Sequence, residues 1–198
     1  MRTKTAVVYE YNKPVVVDNL ELDEPKANEV LVRMHASGVC HSDLSVVNDA
    51  IHYNPPVALG HEGAGVIEQI GEDVNYVQVG DHILLSFVTY CNQCRMCTMN
   101  KVSLCEGFSA RMGYLLDDTC RLHTSLKQPV PQMARIGTMS EYTVVPEQSL
   151  IKIDTAYSLE KAVLVGCGVT TGIGAVLNTA KVKPGSSVAI VGSGGVGL

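Results

Sequence analysis

Residues 60–87 read GHEGAGVIEQIGEDVNYVQVGDHILLSF. Two short segments rich in Val and Ile, GAGVIEQIG and DHILLSF, are divided by turn signals at Gly71 and at the Gly80-Asp81 pair. The same texture runs upstream through TAVVYE, KPVVVDNL and EVLVRMHASGV, with breaks at Pro14, Pro25 and Asn28-Glu29. Many short strands at this spacing predict a barrel or sandwich rather than a parallel sheet. Residues 86–138 are polar, cysteine-rich and weakly periodic. They form a long excursion, and a loop of that length needs its own organiser. MSEYTVVPEQSLIKI then resumes the strand pattern.

After Ile153 the texture changes. Ser158, Lys161 and the apolar run Ala162 to Val165 predict a short helix, and GVTTGIGAVLNTAKV a second one with Thr170 or Thr171 near its start. Lys183-Pro184-Gly185 is a turn, SSVAIV a buried strand, and GSGGVGL a glycine-rich turn. The fold class is therefore mostly β with an α/β start, and no internal repeat is visible.

Composition narrows the function. Fifteen Lys and Arg stand against 20 Asp and Glu, a net charge of -5 without any basic run, which disfavours nucleic acid as a partner. Residues 1–20 have no uninterrupted apolar core of signal-peptide length, and no stretch approaches the ~18–20 apolar residues of a membrane span. The expectation is a soluble, cytoplasmic protein. Seven cysteines are an odd number, and thiols stay reduced in that compartment, so metal binding outweighs a disulfide framework.

Four of them, Cys91, Cys94, Cys97 and Cys105, are spaced C-x2-C-x2-C-x7-C. One compact loop with this spacing can wrap a metal, whereas Cys-x2-Cys neighbours would make strained disulfides. Zinc in a closed tetrahedron is favoured; an iron–sulfur cluster and incidental thiols are the alternatives. Three other segments, GVCHSDL, GHEGAGV and GCGVTTG, each place a Cys or His beside glycine at the end of an apolar stretch. Singly, Cys40, His61 and Cys167 read as core thiols and a turn histidine. Together they are a Cys2His set, the ligand complement of an open zinc site whose fourth position is left to water or substrate.

Near the end, VAIVGSGGVGL places Gly192, Gly194 and Gly197 in G-x-G-x-x-G spacing directly after a strand. Such glycines allow a tight turn and close backbone approach to a pyrophosphate at a helix start. The acidic residue that grips a ribose belongs ~20 residues further on, past Leu198.

The chain resembles the zinc-dependent medium-chain alcohol dehydrogenases, in particular the long-loop branch that includes liver-type alcohol dehydrogenases and glutathione-dependent formaldehyde dehydrogenase. The resemblance rests on GVCHSD, GHEGAGVIEQIG, VGDHI, the cysteine loop, GTMSEYTVV, GCGVTTGIGAVLNTAKVKPG and GSGGVGL, in that order. It implies a GroES-like β-barrel catalytic domain over residues 1–168. Residues 169–198 would be the beginning of a nicotinamide-dinucleotide-binding Rossmann domain, so the chain is expected to be an N-terminal fragment, inactive alone.

The family also implies roles. Cys40, His61 and Cys167 would hold a catalytic zinc, and Cys91, Cys94, Cys97 and Cys105 a structural one, two per chain. Glu62 would sit behind the catalytic metal and occasionally approach it. Asp43 would accept a hydrogen bond from His61. Ser42 would accept the alcohol proton, while His41, Gly192, Gly194, Gly195 and Gly197 would meet the pyrophosphate of NAD, with NADP as the other cofactor option. Liver-type members often carry a relay histidine where this chain has Ser45, and His52 is not assigned that task. The implied reaction is oxidation of a small primary alcohol, or reduction of an aldehyde, by a homo-oligomer. Polyol or threonine dehydrogenases of the superfamily commonly replace the Gly-Cys-Gly ligand, so Cys167 argues against them. A zinc-free quinone reductase would lack both cysteine sets, and a non-catalytic zinc-binding module is the reading from another class.

Overall fold

The computed structural model describes residues 1–109 and 111–198. Its frame is two antiparallel five-stranded sheets. The first contains β1 (Arg2–Val8), β2 (Val16–Leu22) and the short β4 (Val57–Ala58), β7 (Leu122–His123) and β8 (Pro129–Val130), in the order β4-β1-β2-β7-β8. The second contains β3 (Glu29–Ser37), β5 (Gly63–Ile70), β6 (His82–Leu85), β9 (Tyr142–Pro146) and β10 (Leu150–Ile153), in the order β10-β6-β5-β3-β9. A bridge from Thr5 to Ser140 joins β1 to the residues leading into β9, and one from Ala58 to Gln132 joins β4 to the residues that follow β8 at the opposite edge of its own sheet, giving a nearly closed, barrel-like wall.

Alternation builds the interior. In β1, Thr3, Thr5 and Val7 point inward and are almost fully buried, while Arg2 and Lys4 are exposed. Val30, Val32, Ile67, Ile83, Leu85, Ile136 and Val145 form one apolar cluster, and Val7, Leu20, Leu122, Val130 and Val144 another. Burial of each such side chain contributes about 1.5–3 kcal/mol. A third cluster seats α1 (His41–Val47) through Val46, against Val8, Tyr53 and Leu59. A fourth joins Ala64 and Leu84 to Leu159 and Val163 of the helical segment that follows β10.

The long excursion is more structured than its sequence suggests. It holds α2 (Arg95–Thr98), several 3-10 turns and the β7–β8 hairpin, which extends the first sheet. A buried ion pair anchors it: the guanidinium of Arg121 donates to both carboxylate oxygens of Glu29 at 2.7 and 2.5 Å, and to Asp117 at 2.7 Å. The two helices expected after Ile153 are present as α3 (Leu159–Ala162), continued by a 3-10 turn, and α4 (Gly168–Gly174), continued by a π turn over Ala175–Thr179. No single helix among the described residues is long and apolar enough to cross a membrane; Leu159–Gly166 and Gly168–Thr179 reach that length only as a pair bent by 44°.

Residues 186–191, expected as a buried strand, belong to no ladder, and Ile190 and Val191 are exposed. An apolar run becomes a buried strand only where a neighbour supplies its hydrogen bonds, and no described strand lies beside this one.

Candidate metal centres and glycine turn

Cys40 stands where the chain leaves β3 and starts α1. Its extended backbone is held by Asp43, whose Oδ2 accepts the Cys40 N–H at 2.8 Å. The other oxygen of Asp43 accepts the Gly60 N–H at 3.2 Å, so one carboxylate fixes the backbone beside both Cys40 and His61. His61 and Glu62 occupy the turn into β5. Gly60 has φ +98°, and a β-carbon there would come within 2.5 Å of Thr138 Oγ1. Thr138 is fully buried and donates to the Glu62 carbonyl at 3.0 Å, while Ser37 Oγ lies 3.0 Å from the same carbonyl. Cys167 follows the 3-10 turn Val163–Gly166, which packs through Val163 against Ala64 of β5 and Leu84 of β6. Gly166 lets it approach, because a β-carbon on Gly166 would lie 2.9 Å from the Leu85 carbonyl.

The outcome is a cluster in which one ligand atom from each of Cys40, His61, Glu62 and Cys167 lies within 4.8 Å of the others. Phe87 meets the His61 ring edge-on, with centroids 6.2 Å apart. Asp43 Oδ1 lies 3.4 Å from His61 Nδ1, a charge contact outside hydrogen-bond geometry. Both ring nitrogens of His61 are consequently buried without a hydrogen-bond partner. Such orphaned nitrogens destabilise a fold unless something occupies them.

The electrostatics agree. Burial alone would lower the His61 pKa, yet Asp43 and the Cys40 sulfur carry it upward. Burial works against ionisation of Cys40, but the Ser42 N–H and hydroxyl and His61 bring its thiol below the usual value. Burial, Cys40 and Glu62 push Cys167 up to about 11. Two thiols and a carboxylate crowded around one imidazole cannot all be anionic without a cation among them. A soft-to-borderline divalent ion fits this donor set.

The second cluster is the loop itself. Cys91, Cys94, Cys97 and Cys105 present sulfurs within 4.8 Å of one another. Backbone amides point at them: Cys91 N–H donates to Cys105 Sγ at 3.3 Å, and Cys94 N–H to Cys91 Sγ at 3.4 Å. All seven cysteines are free thiols. Four sulfurs converging from one loop fit a closed tetrahedral site.

The glycine turn lies elsewhere. Gly192 has φ +95°, and Gly194 and Gly195 have open space where a side chain would be. Gly172 lets α4 pack against the turn, since its β-carbon would stand 2.5 Å from the Val196 carbonyl. A groove of about 650 Å³ opens between α4 and residues 182–198, lined by Val169, Ile173, Val176, Val188, Ile190 and Val196.

The structure thus brings Cys40, His61, Glu62 and Cys167 together, with Ser42 Oγ 3.7 Å from Cys40 Sγ and Asp43 behind. It does not join His41 to the glycines by any hydrogen bond among the described residues; the His41 carbonyl instead accepts from Ser45 Oγ at 3.1 Å. His52 is engaged by Asp49 at 2.7 Å and Tyr11 at 3.4 Å. Gly38, Thr138 and Arg135 support the two clusters but do not announce themselves in the sequence. They act on backbone atoms far away in the chain; Gly38 lies in GVCHSDL and Thr138 in GTMSEYTVV, but neither segment shows what the residue does.

Residues 26–155 match the alcohol dehydrogenase GroES-like domain, and the chain belongs to that family. It is 42% identical over 201 residues to alcohol dehydrogenase class-3 of Drosophila melanogaster, covering 98% of this chain and 52% of the fly protein. Among solved structures, an alcohol dehydrogenase zinc-binding domain protein from Burkholderia ambifaria superposes with a TM-score of 0.92 at 33% identity, over 100% of this chain and 54% of that one. The benzyl alcohol dehydrogenase of Acinetobacter calcoaceticus gives 0.85 at 32% identity, over 94% and 51%. The chain spans about half the length of these relatives.

Proposed function

We propose that this chain is the metal-bearing part of a zinc-dependent alcohol dehydrogenase. The reaction is oxidation of a small primary alcohol, or reduction of the aldehyde, with NAD or NADP as hydride carrier. The observation that carries this reading is the convergence of Cys40, His61, Glu62 and Cys167 around two buried, unpartnered imidazole nitrogens.

In this account Cys40, His61 and Cys167 hold the catalytic zinc, with Glu62 as an alternative donor. When bound, zinc supplies a Lewis acid that makes a substrate hydroxyl easier to deprotonate. Asp43 places its charge beside His61 Nδ1 and, through the Cys40 and Gly60 amides, fixes the backbone on both sides of the site. Ser42 takes the alcohol proton, since its hydroxyl sits beside Cys40 Sγ. The Phe87 ring excludes water from one side. Cys91, Cys94, Cys97 and Cys105 hold a second, structural zinc that organises their loop. Residues 1–168 form the catalytic domain and 169–198 the start of the cofactor domain, in which Gly192, Gly194, Gly195 and Gly197 meet the pyrophosphate, with His41 nearby. The working protein is a cytoplasmic homo-oligomer.

The test is a comparison at the length of the relatives. The protein is assayed for reduced nicotinamide formed from a primary alcohol, with and without Cys40→Ser. Turnover that disappears in the variant and with chelator supports the reading; turnover indifferent to both contradicts it.

A further inference from the structure

Arg135 is a buried cation that the proposed reaction does not use. The residue is 3% exposed, yet it lies in a short turn (Met133–Arg135) whose residues Ala134 and Arg135 have φ of 52° and 65°. Left-handed backbone at non-glycine residues is unfavourable and persists where the surroundings hold it. The holding is visible. The Arg135 N–H donates to the Gln132 carbonyl at 2.8 Å, the Ala134 N–H to Tyr53 Oη at 3.0 Å, and the neighbouring Ile136 is fully buried in the barrel. The turn is therefore part of the rigid wall.

From that wall the guanidinium reaches into the cysteine loop. Nη2 donates to the Gly107 carbonyl at 2.6 Å and Nε to the Tyr114 carbonyl at 2.7 Å. Gly107 is in contact with the cluster: a β-carbon on it would lie 3.4 Å from Cys91 Cβ and 3.6 Å from the sulfurs of Cys91 and Cys105. The backbone that Arg135 grips is thus the backbone packed against two of the four sulfurs. The charge matters too. Four thiolates around one divalent ion leave an excess of negative charge, and the two cations between Cys91 and Cys105, Arg95 and Lys101, are exposed to water. Low dielectric strengthens the effect of a buried cation.

We propose that Arg135 is a positioning residue for the four-cysteine metal: it clamps the Gly107 and Tyr114 carbonyls to the barrel wall and offsets the negative charge of the thiolates. The inference rests on the reading of this loop as a zinc site. It separates two roles of one side chain, a donor fork and a positive charge. Arg135→Met keeps length and bulk but removes both, while Arg135→Lys keeps the charge and loses the fork. The backbone strain at this position is the same in all three, because each side chain carries a β-carbon.

The experiment measures the rate at which zinc passes from this chain to 4-(2-pyridylazo)resorcinol. The phase belonging to the loop is identified as the one missing in Cys94→Ser. That phase is expected to quicken at least tenfold in Arg135→Met, the usual scale for losing a partner of a metal-holding residue. Arg135→Lys is expected to fall between that variant and the parent. A cobalt-loaded sample should show the sulfur-to-cobalt absorption shifted in Arg135→Met, a readout that mere filling of space would not move. Equal rates and spectra in the parent and Arg135→Met overturn the inference and leave the zinc reading standing. If Arg135→Met does not fold, Arg135→Lys decides: release as slow as in the parent overturns the clamp. A parent chain that takes up no metal on the four cysteines overturns both readings.

Discussion

Gly38 and Glu62 touch so closely that a β-carbon on Gly38 would overlap the Glu62 carboxylate. Gly38 also donates its N–H to the Glu62 carbonyl at 3.1 Å, so the two residues are locked through backbone and side chain together. The carboxylate that completes the cluster keeps its place because residue 38 has no side chain.

Gly38→Ala is accordingly expected to displace the Glu62 carboxylate. Overpacking of this kind destabilises by about 1–3 kcal/mol. Zinc retention at the Cys40–His61–Cys167 site should fall by about tenfold, the low end for a disturbed partner of a ligand. Competition with a chelator checks it; retention equal to the parent would show that the carboxylate moves aside freely.

Asp43 is the other support. Asp43→Ala strands the Cys40 and Gly60 amides, whose only acceptor among the described groups is this carboxylate. Each buried donor left unpaired costs about 1–3 kcal/mol. Asp43→Asn retains the shape and one acceptor oxygen but removes the charge beside His61. The expected order of thermal stability and of zinc affinity is parent, then Asn, then Ala. Indistinguishable affinities for the two variants would mean that charge plays no part in holding His61.

How much of this was legible beforehand depends on the range of each signal. The strands around GAGVIEQIG and DHILLSF are there, because local apolar alternation is what places them. The four cysteines that converge in the loop stand out by spacing. The β7–β8 hairpin does not, since each of its strands has two residues and its turn places Lys127 at φ 63°. Helix α1, HSDLSVV, has no sequence expectation of its own; its seven residues owe their helix to the Asp43–Cys40 cap and the burial of Val46. SSVAIV reads as buried from its apolarity alone, but burial is settled by neighbours. The roles of Thr138 and Arg135 are hidden for the same reason: the two residues act across 76 and 28 residues of sequence on carbonyl oxygens that any residue would present.

Acid should report on the network that anchors the long loop. Burial alone would raise the Asp117 pKa, but hydrogen bonds from Lys26, Thr119 and Arg121 hold its carboxyl well below the usual carboxylate range. The sign follows from linkage. A folded pKa depressed below the unfolded value of about 3.9 adds stability that is complete above the unfolded value and is lost as pH falls through the folded one. Because Asp117 is about one-third exposed, screening limits the contribution to about 1 kcal/mol. Asp117→Asn should therefore melt about 2–4 °C below the parent at neutral pH, with the gap closing below about pH 4. A gap that persists unchanged into acid would assign the loss to packing instead.

The most direct test of the account is metal content. The chain, purified without chelator, is expected to carry two zinc ions, with one lost in Cys94→Ser and the other in Cys40→Ser. Cys94→Ser should also lose more thermal stability, because a closed site contributes folding free energy and an open one mainly activates substrate. Elemental analysis and melting curves on the three proteins give both quantities. Two zinc ions falling to one in each variant, with Cys94→Ser the less stable, is the predicted result; iron in place of zinc, or a well-folded parent without metal, would contradict it.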